Sequence, residues 1–289
     1  GLNGHNGGAD HDHDPPRDHH HDQEEVTVPP EWAARFAPFL ADPAASAVLT
    51  DFDGTLAAIV ADPARAQPLA GTRQVLVELG RQFGTVAVIS GRPASFLADR
   101  LGGIDGIRLV GSYGVEWAGA DGVVTTDPAI DQWRPVVAAA AARLAADAPP
   151  GVLVEDKALS VTVHWRRAPE AEGWVRQAAA SESERSGLVG HSGRMSVELR
   201  TPGPTDKGSA VEELSRGARS ACFLGDDVGD LPAFAALDRL AAQVGTAVVK
   251  VAAADQESPP EVTESADLIV EGPPGALRLL RWLAHPGDG

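Results

Sequence analysis

Two aspartates one residue apart, Asp51 and Asp53, open the run Asp51-Phe52-Asp53-Gly54-Thr55-Leu56. The apolar, β-prone Ala47-Val48-Leu49 precedes them, so the pair falls where a buried strand ends. Side chains at i and i+2 of a strand point to the same side, which turns both carboxylates toward one site. Carboxylates held that close repel each other unless a cation or a shared proton intervenes. Gly54 lets the backbone turn, and Thr55 places a hydroxyl at the loop. The chemistry this points to is phosphoryl transfer.

Further polar groups stand at comparable positions along the chain. The apolar strand 85–89 runs into Ser90-Gly91-Arg92-Pro93. Thr205-Asp206-Lys207-Gly208 opens a helix running to about 216, with Thr205 as N-cap. The buried strand 221–224 ends in Gly225-Asp226-Asp227-Val228-Gly229-Asp230. In a parallel sheet all strand C-termini share one edge, where open α/β sheets bind ligands. Asp51, Asp53, Ser90, Lys207, Asp226, Asp227 and Asp230 can therefore meet although distant in sequence. Oxygen ligands from Asp51, Asp226 and the backbone carbonyl of Asp53 suit Mg²⁺, with Asp227 and Asp230 completing the acidic set. A unit-charge pair ~4 Å apart is worth ~4 kcal/mol at an effective dielectric of ~20, so carboxylates and a phosphate need this compensation. Mg²⁺ and the Lys207 ammonium would supply it and stabilise the transferring group. Ser90 can donate to a phosphoryl oxygen.

The positioning elements read as α/β. Residues 31–40 form a short amphipathic helix, and 69–83 carry helical periodicity before a stop at Gly84. The continuous apolar run 85–89 is of the kind buried on both faces of a parallel sheet. A third strand, 107–110, leads into Gly111-Ser112-Tyr113-Gly114. The texture then changes: a hairpin at 115–125, an alanine-rich helix at 129–146, strands at 152–154, 159–165 and 195–199, and a helix at 170–181. In 159–165, Ser160, Thr162 and His164 alternate with apolar residues, which leaves one sheet face for solvent or a ligand. The parallel pattern resumes with later strands at 247–251 and 268–270 and a closing helix at 276–283. The expected architecture is a Rossmann-like parallel-sheet core (45–112 and 199–286) interrupted by an inserted α+β cap domain (113–198). Lys250, inside an apolar strand, suggests that this strand lies at an edge.

Composition narrows the function classes. The 289 residues suffice for one large domain or two moderate ones. A formal charge of −17 argues against nucleic-acid partners, whose phosphates recruit clustered Lys and Arg. No apolar run has the length of a membrane span, and no secretory h-region opens the chain. Cys222 is the single cysteine, so no intrachain disulfide forms, and a cytoplasmic enzyme is expected. Residues 1–30 are rich in His and Asp, with His11, His13, His19, His20 and His21 among Asp10, Asp12, Asp14 and Asp18. This stretch cannot bury a core and reads as a disordered tail, either a solvated leader or a metal buffer.

At the polar strand ends the chain resembles the haloacid dehalogenase-type phosphatases, whose nucleophile motif is Asp-x-Asp-Gly-Thr. The resemblance implies that Asp51 attacks phosphorus and becomes an aspartyl-phosphate. Asp53 would protonate the leaving alkoxide and then activate the hydrolytic water. Val88-Ile89-Ser90-Gly91-Arg92, Gly111-Ser112-Tyr113-Gly114-Val115-Glu116, Val197-Glu198-Leu199-Arg200 and Gly225-Asp226-Asp227 resemble, more narrowly, the trehalose-6-phosphate phosphatase family. That resemblance implies that Lys157, His164 and Glu198 grip sugar hydroxyls, with Arg92 beside the phosphate and in reach of the sugar. The chain departs from the family at Gly229-Asp230-Leu231, where Thr-Asp-Glu is common, and at Tyr113, where His is frequent.

The expectation is therefore a Mg²⁺-dependent phosphatase that cleaves trehalose 6-phosphate between core and cap. Two rivals stand beside it. One is a phosphatase for another sugar phosphate, such as sucrose phosphate or a mannosyl phosphate. The other is a non-catalytic regulatory module that kept the fold.

Overall fold

The computed structural model describes residues 29–287 apart from 120, 204, 205 and 257. The His/Asp-rich stretch of residues 1–28 and the expected N-cap Thr205 lie outside the described residues.

Among the described residues the strands form two sheets. The larger is built on the apolar runs read from the sequence. It comprises β1 (Ser46–Thr50), β2 (Thr85–Ile89), β3 (Ile107–Gly111), β4 (Glu116–Ala118), β5 (Val124–Thr126), β10 (Ser220–Gly225), β11 (Ala247–Ala254) and β12 (Leu268–Glu271), in the order β12-β11-β10-β1-β2-β3-β4-β5. The strands from β12 to β3 run parallel, while β4 and β5 add antiparallel at the β3 edge. β1 and β10 lie side by side at the centre, buried throughout, in the register Ser46 opposite Ser220 to Thr50 opposite Leu224. Asp51 and Asp226 follow directly from these two neighbouring ends.

Alternate residues of the central strands feed two apolar layers. Val48, Val86, Val88, Cys222 and Leu224 pack under α1 (Pro30–Ala41), α2 (Thr72–Gln82), α3 (Ala94–Leu101) and α10 (Gly272–Ala284). Leu49, Ala87, Ile89, Ala221 and Phe223 pack under α7 (Lys207–Leu214), α8 (Leu231–Val244) and α9 (Pro260–Ser265). A parallel sheet covered on both faces has to be apolar on both, as these strands are.

The second unit places α4 (Pro128–Asp131), α5 (Arg134–Asp147) and α6 (Glu172–Ser186) with an antiparallel sheet. Its strands are β6 (Leu153–Asp156), β7 (Ser160–His164), β8 (Val189–Gly193) and β9 (Ser196–Arg200), in the order β6-β7-β9-β8. Val161, Val163, Val197 and Leu199 meet Val137, Leu144 and Val175 in its own core. The opposite sheet face carries Glu155, Thr162 and Glu198 toward the C-terminal edge of the large sheet. No helix among the described residues is long and apolar enough to cross a membrane.

Several expectations need correction. The hairpin β4–β5 was expected in the cap, but Leu109 to Gly111 pair with Ala118 to Glu116, so it extends the core sheet. The cap elements accordingly run from Pro128 to Arg200 rather than from 113 to 198. The expected single helix 129–146 is two: Asp127 caps a first turn, and α5 restarts with a proline in its opening turn. β8 escaped notice because Val189-Gly190-His191-Ser192-Gly193 is exposed and lacks alternation. Lys250 is not on an edge strand, since β11 lies between β10 and β12. Its Nζ reaches Asp238 Oδ1 on α8 at 2.7 Å.

Phe36 is fully buried, with its ring 5.0 Å from that of Phe39 and 6.1 Å from Trp282 of α10. Phe36→Ala is expected to lower stability by about 3–5 kcal/mol, because a large aromatic cavity cannot close fully. Urea unfolding of parent and variant measures this, and a loss under about 1 kcal/mol would show that α1 is not integral to the core.

Candidate active site

The centre of the site is an ammonium between carboxylates. Asp206 caps α7 by accepting from Ser209 N, and Ser209 Oγ returns a contact to Asp206 N, so the helix starts at Lys207. This aims the Lys207 side chain inward, with Nζ 2.8 Å from Asp51 Oδ1 and 2.6 Å from Asp230 Oδ1. Asp230 is fully buried, and its second oxygen accepts from the backbone N–H groups of Asp226 (2.9 Å) and Asp227 (3.2 Å). Asp51 N donates to Leu224 O at 2.8 Å, which fixes the β1 end against β10. Gly54 has φ +77°, and a Cβ there would lie 2.0 Å from Asp226 Oδ2. Only glycine meets both constraints.

Electrostatics follow from burial. Burial pushes the Asp51 carboxyl up to about 8, with Lys207 opposing the rise and Asp230 adding to it. Asp226 is raised well above its ordinary range by burial and then by Asp51 and Asp230. Burial pulls the Lys207 ammonium down, but Asp230 and Asp51 outweigh it and raise the group. Asp226 Oδ1 is buried with no hydrogen-bond partner. Asp51, Asp226 and Asp230 each offer an oxygen within 4.8 Å of the others. One ammonium does not balance this cluster, and its hard oxygen donors and orphaned acceptor fit a divalent cation.

A second group bridges core and cap. Arg92 holds both oxygens of Asp53, through Nε at 2.7 Å and Nη2 at 2.9 Å, and donates through Nη1 to Glu155 Oε1 of β6 at 2.6 Å. Glu155 also meets His164 Nε2 at 3.0 Å. Burial opposes ionisation of Glu155, but His164, Lys157 and Arg92 together hold it below the usual carboxylate range. Ser90 is buried in the cavity wall, and its Oγ accepts from Arg92 N at 3.2 Å.

Glu198 of β9 is the corresponding centre on the cap. Its carboxylate accepts from Ser160 Oγ (2.7 Å), Lys157 Nζ (3.2 Å), Arg200 Nη2 (3.0 Å) and the Tyr113 hydroxyl. Against burial, Lys157 and Arg200 hold Glu198 far below the ordinary range. Burial and Glu198 raise Tyr113 well above its ordinary value, so the phenol is the donor. Tyr113 reaches this position from a left-handed backbone (φ 60°), next to Ser112 at φ 49°. Glu116 Oε2 ties the loop by accepting from Ser112 Oγ (3.0 Å) and Ala94 N (2.9 Å). The ring of Tyr113 lies where a Cβ on Gly91 would be, 2.5 Å away.

The candidate catalytic, metal and sugar-binding residues line one cavity except Asp230, whose fully buried carboxylate contacts Lys207. The proposed metal group divides, however. Asp51, Asp226 and Asp230 converge, the Asp53 carboxylate is turned to Arg92, and Asp227 Oδ1 accepts from Val228 N. Arg92, expected beside the phosphate and in reach of the sugar, meets Asp53 and Glu155. Glu155, Tyr113 and Arg200 carry more of the core–cap bridging than the sequence suggested. Glu155 was detectable, since it stands two residues before Lys157 in a strand-like run. The cavity is about 200 Å³. That is below the ~300–1,000 Å³ of typical small-molecule sites, because Arg92 and Tyr113 reach across it to the cap.

Comparison with known proteins gives this geometry a context. A family model described as trehalose-phosphatase matches residues 49–267. The trehalose-phosphate phosphatase of Mycobacterium avium is 38% identical over 201 residues, 66% of this chain and 51% of that protein. The chain thus spans about half the length of the curated relatives it matches. The C-terminal domain of Candida albicans trehalose-6-phosphate phosphatase superposes with a TM-score of 0.70 at 22% identity, covering 86% of this chain and 96% of that one. The C-terminal domain of the Candida albicans trehalose synthase regulatory protein superposes at 0.57 with 13% identity, covering 83% and 93%. These two likenesses concern the fold, a haloacid dehalogenase-type α/β core with a large parallel-rich sheet.

The low value of Glu198 has a consequence for stability. A group whose folded value lies below its ordinary 4.5 stabilises above that value and loses the contribution as pH falls through the folded one. Glu198→Gln should therefore cost about 3 kcal/mol at pH 7, by leaving Lys157 and Arg200 without their buried anion. The difference from the parent should shrink as pH falls below 4.5, measured by urea midpoints from pH 7 to 3. A difference that stays constant with pH would refute the ionised role.

Proposed function

The chain belongs to the trehalose-phosphatase family, and on that premise we propose that it hydrolyses trehalose 6-phosphate to trehalose and inorganic phosphate. The observation that carries this reading is the Lys207 ammonium between Asp51 and Asp230 beside the orphaned Asp226 oxygen. The naming of the mycobacterial relatives supports the substrate. Mg²⁺ is the proposed cation, with Asp51 and Asp226 as side-chain ligands. Asp230 serves mainly to hold Lys207 and the 226–227 backbone. When bound, the metal supplies positive charge against the phosphoryl oxygens and lowers the repulsion among the carboxylates.

The chain's own groups then divide the work. Asp51 attacks phosphorus through a carboxylate oxygen, forming an aspartyl-phosphate as the bond to the sugar oxygen breaks. Asp53 delivers a proton to that leaving oxygen. It then takes a proton from the water that attacks the phosphoaspartate, which regenerates Asp51 and releases phosphate. Lys207 and Ser90 offset the charge on the phosphoryl oxygens. Both Asp53 oxygens accept from Arg92, so one of these contacts has to open before Asp53 can reach the leaving oxygen. Because Arg92 also holds Glu155, that opening is linked to the cap.

Two other readings have specific support. A different sugar phosphate is compatible with the same catalytic edge, since the sugar would be read by Lys157, His164, Glu198 and their neighbours on the cap. A non-catalytic role is raised by the regulatory protein domain that shares the fold. Retention of Asp51, Asp53, Lys207 and Asp226 favours catalysis over that role.

Phosphate release should be greatest with trehalose 6-phosphate in a panel that includes glucose, sucrose and mannosyl phosphates, and should stop on chelation and return with Mg²⁺. Asp51→Asn should lower kcat by more than about a thousandfold. Turnover of trehalose 6-phosphate no faster than glucose 6-phosphate would overturn the substrate, and an active Asp51→Asn would overturn the covalent route. Absence of turnover on every member would favour the regulatory module.

A further inference from the structure

Thr162 stands at the middle of β7, and its two cross-strand neighbours are the cap's buried acids. Glu155 is opposite it on β6 and Glu198 is opposite it on β9. Residues directly opposite on neighbouring strands share a face, so Glu155, Thr162 and Glu198 form one row across the cap sheet. The row lines the cavity. Thr162 is 3% exposed, and its Oγ1 has no hydrogen-bond partner.

Neighbouring groups do not relieve it. Glu155 is occupied by Arg92 and His164. Glu198 is occupied by Ser160, Lys157, Arg200 and Tyr113. A buried hydroxyl left unpaired is destabilising, and such groups in native proteins call for an explanation. A hydroxyl can donate and accept at once, which matches another hydroxyl better than it matches a charged group. The flanking carboxylates already hold cations and keep lone pairs that can accept from further hydroxyls on a neutral polyol.

We propose that Thr162 is a specificity-determining contact that hydrogen-bonds a hydroxyl of the leaving group, at the end of the ligand remote from the phosphate. The occupant of the cap end is a neutral, polyhydroxylated alcohol. This inference rests on the reading of the chain as a sugar-phosphate phosphatase and adds to it a residue and a polarity for the cap end.

The test compares Thr162→Val, which keeps the branched shape and removes the hydroxyl, with Thr162→Ser, which keeps the hydroxyl. Each is assayed on the best sugar phosphate of the panel and on p-nitrophenyl phosphate, whose leaving group offers no array of hydroxyls. Thr162→Val should raise KM for the sugar phosphate by about five- to thirtyfold with kcat within about twofold. Its kcat/KM on p-nitrophenyl phosphate should stay within about twofold, and Thr162→Ser should restore most of the sugar-phosphate KM. An unchanged sugar-phosphate KM in Thr162→Val overturns the contact, and an equal loss on both substrates shows a role in packing instead. A parent that prefers a sugar phosphate other than trehalose 6-phosphate refutes the trehalose assignment alone. The Thr162 contact is then decided on the preferred sugar.

Discussion

The Lys207 ammonium lies between the buried carboxylates of Asp51 and Asp230, and the arrangement of the catalytic edge depends on it. Buried acids shift toward their neutral forms unless positive charge meets them. The fold meets part of this demand by starting a helix at the right residue, although burial still holds Asp51 at about 8. Asp206 caps α7, Lys207 follows, and its ammonium reaches Asp51 and Asp230 at the end of the β1–β10 pair. Asp230 completes the support by taking backbone N–H groups on its other oxygen, which fixes the loop carrying Asp226 and Asp227. Compensation remains incomplete, since Asp51 and Asp226 both stay raised and one oxygen of Asp226 has no hydrogen-bond partner. A metal cation would complete the charge balance at that point.

The cap meets the core through the same kind of chemistry. Glu155 and Glu198 are held below their ordinary values by cations and hydrogen bonds despite burial. Each also receives a bond from a core residue, Arg92 for Glu155 and Tyr113 for Glu198. The cavity is narrow because these two core side chains occupy the space between the sheets. Arg92 ties Asp53 to the cap through Glu155, so cap position and the placement of the Asp53 carboxylate are mechanically connected. Tyr113 can bridge only because Ser112 and Tyr113 accept left-handed backbone angles that Glu116 helps to hold.

The motifs at strand ends were legible because an apolar run followed by Asp, Ser or Gly-Asp-Asp marks both the element and its C-terminus. Asp51, Ser90 and Asp226 needed nothing further to be placed on one edge. The hairpin at Glu116–Ala118 and Val124–Thr126 was legible as a hairpin but not as part of the core sheet. Short alternating strands look the same wherever they pair, and only the bonds from Leu109 and Gly111 assign them. β8 carries glycines and exposed polar residues, so its pairing with β9 has no local signal. Lys250 misled for the converse reason: an interior strand tolerates it because Asp238 on α8 meets the ammonium at its margin.

The sequence by itself determined which residues could do chemistry and the class of sheet that would gather them. Residue type, strand periodicity and helix-start signals are local properties, and they place Asp51, Asp53, Ser90, Lys207 and Asp226 at element ends. Partnership was decided by the tertiary structure. That Asp53 faces Arg92 and that Asp230 holds Lys207 rather than facing the cavity depend on distances across separate elements, whereas Asp227 caps the N–H of its own neighbour Val228. The opening Asp-x-Asp pair is accordingly two sites: Asp51 belongs to the ammonium and the acidic cluster, and Asp53 to the arginine that leads to the cap. Side chains two apart on one strand share a direction, but burial and the nearest opposite charge determine where each carboxylate finally points.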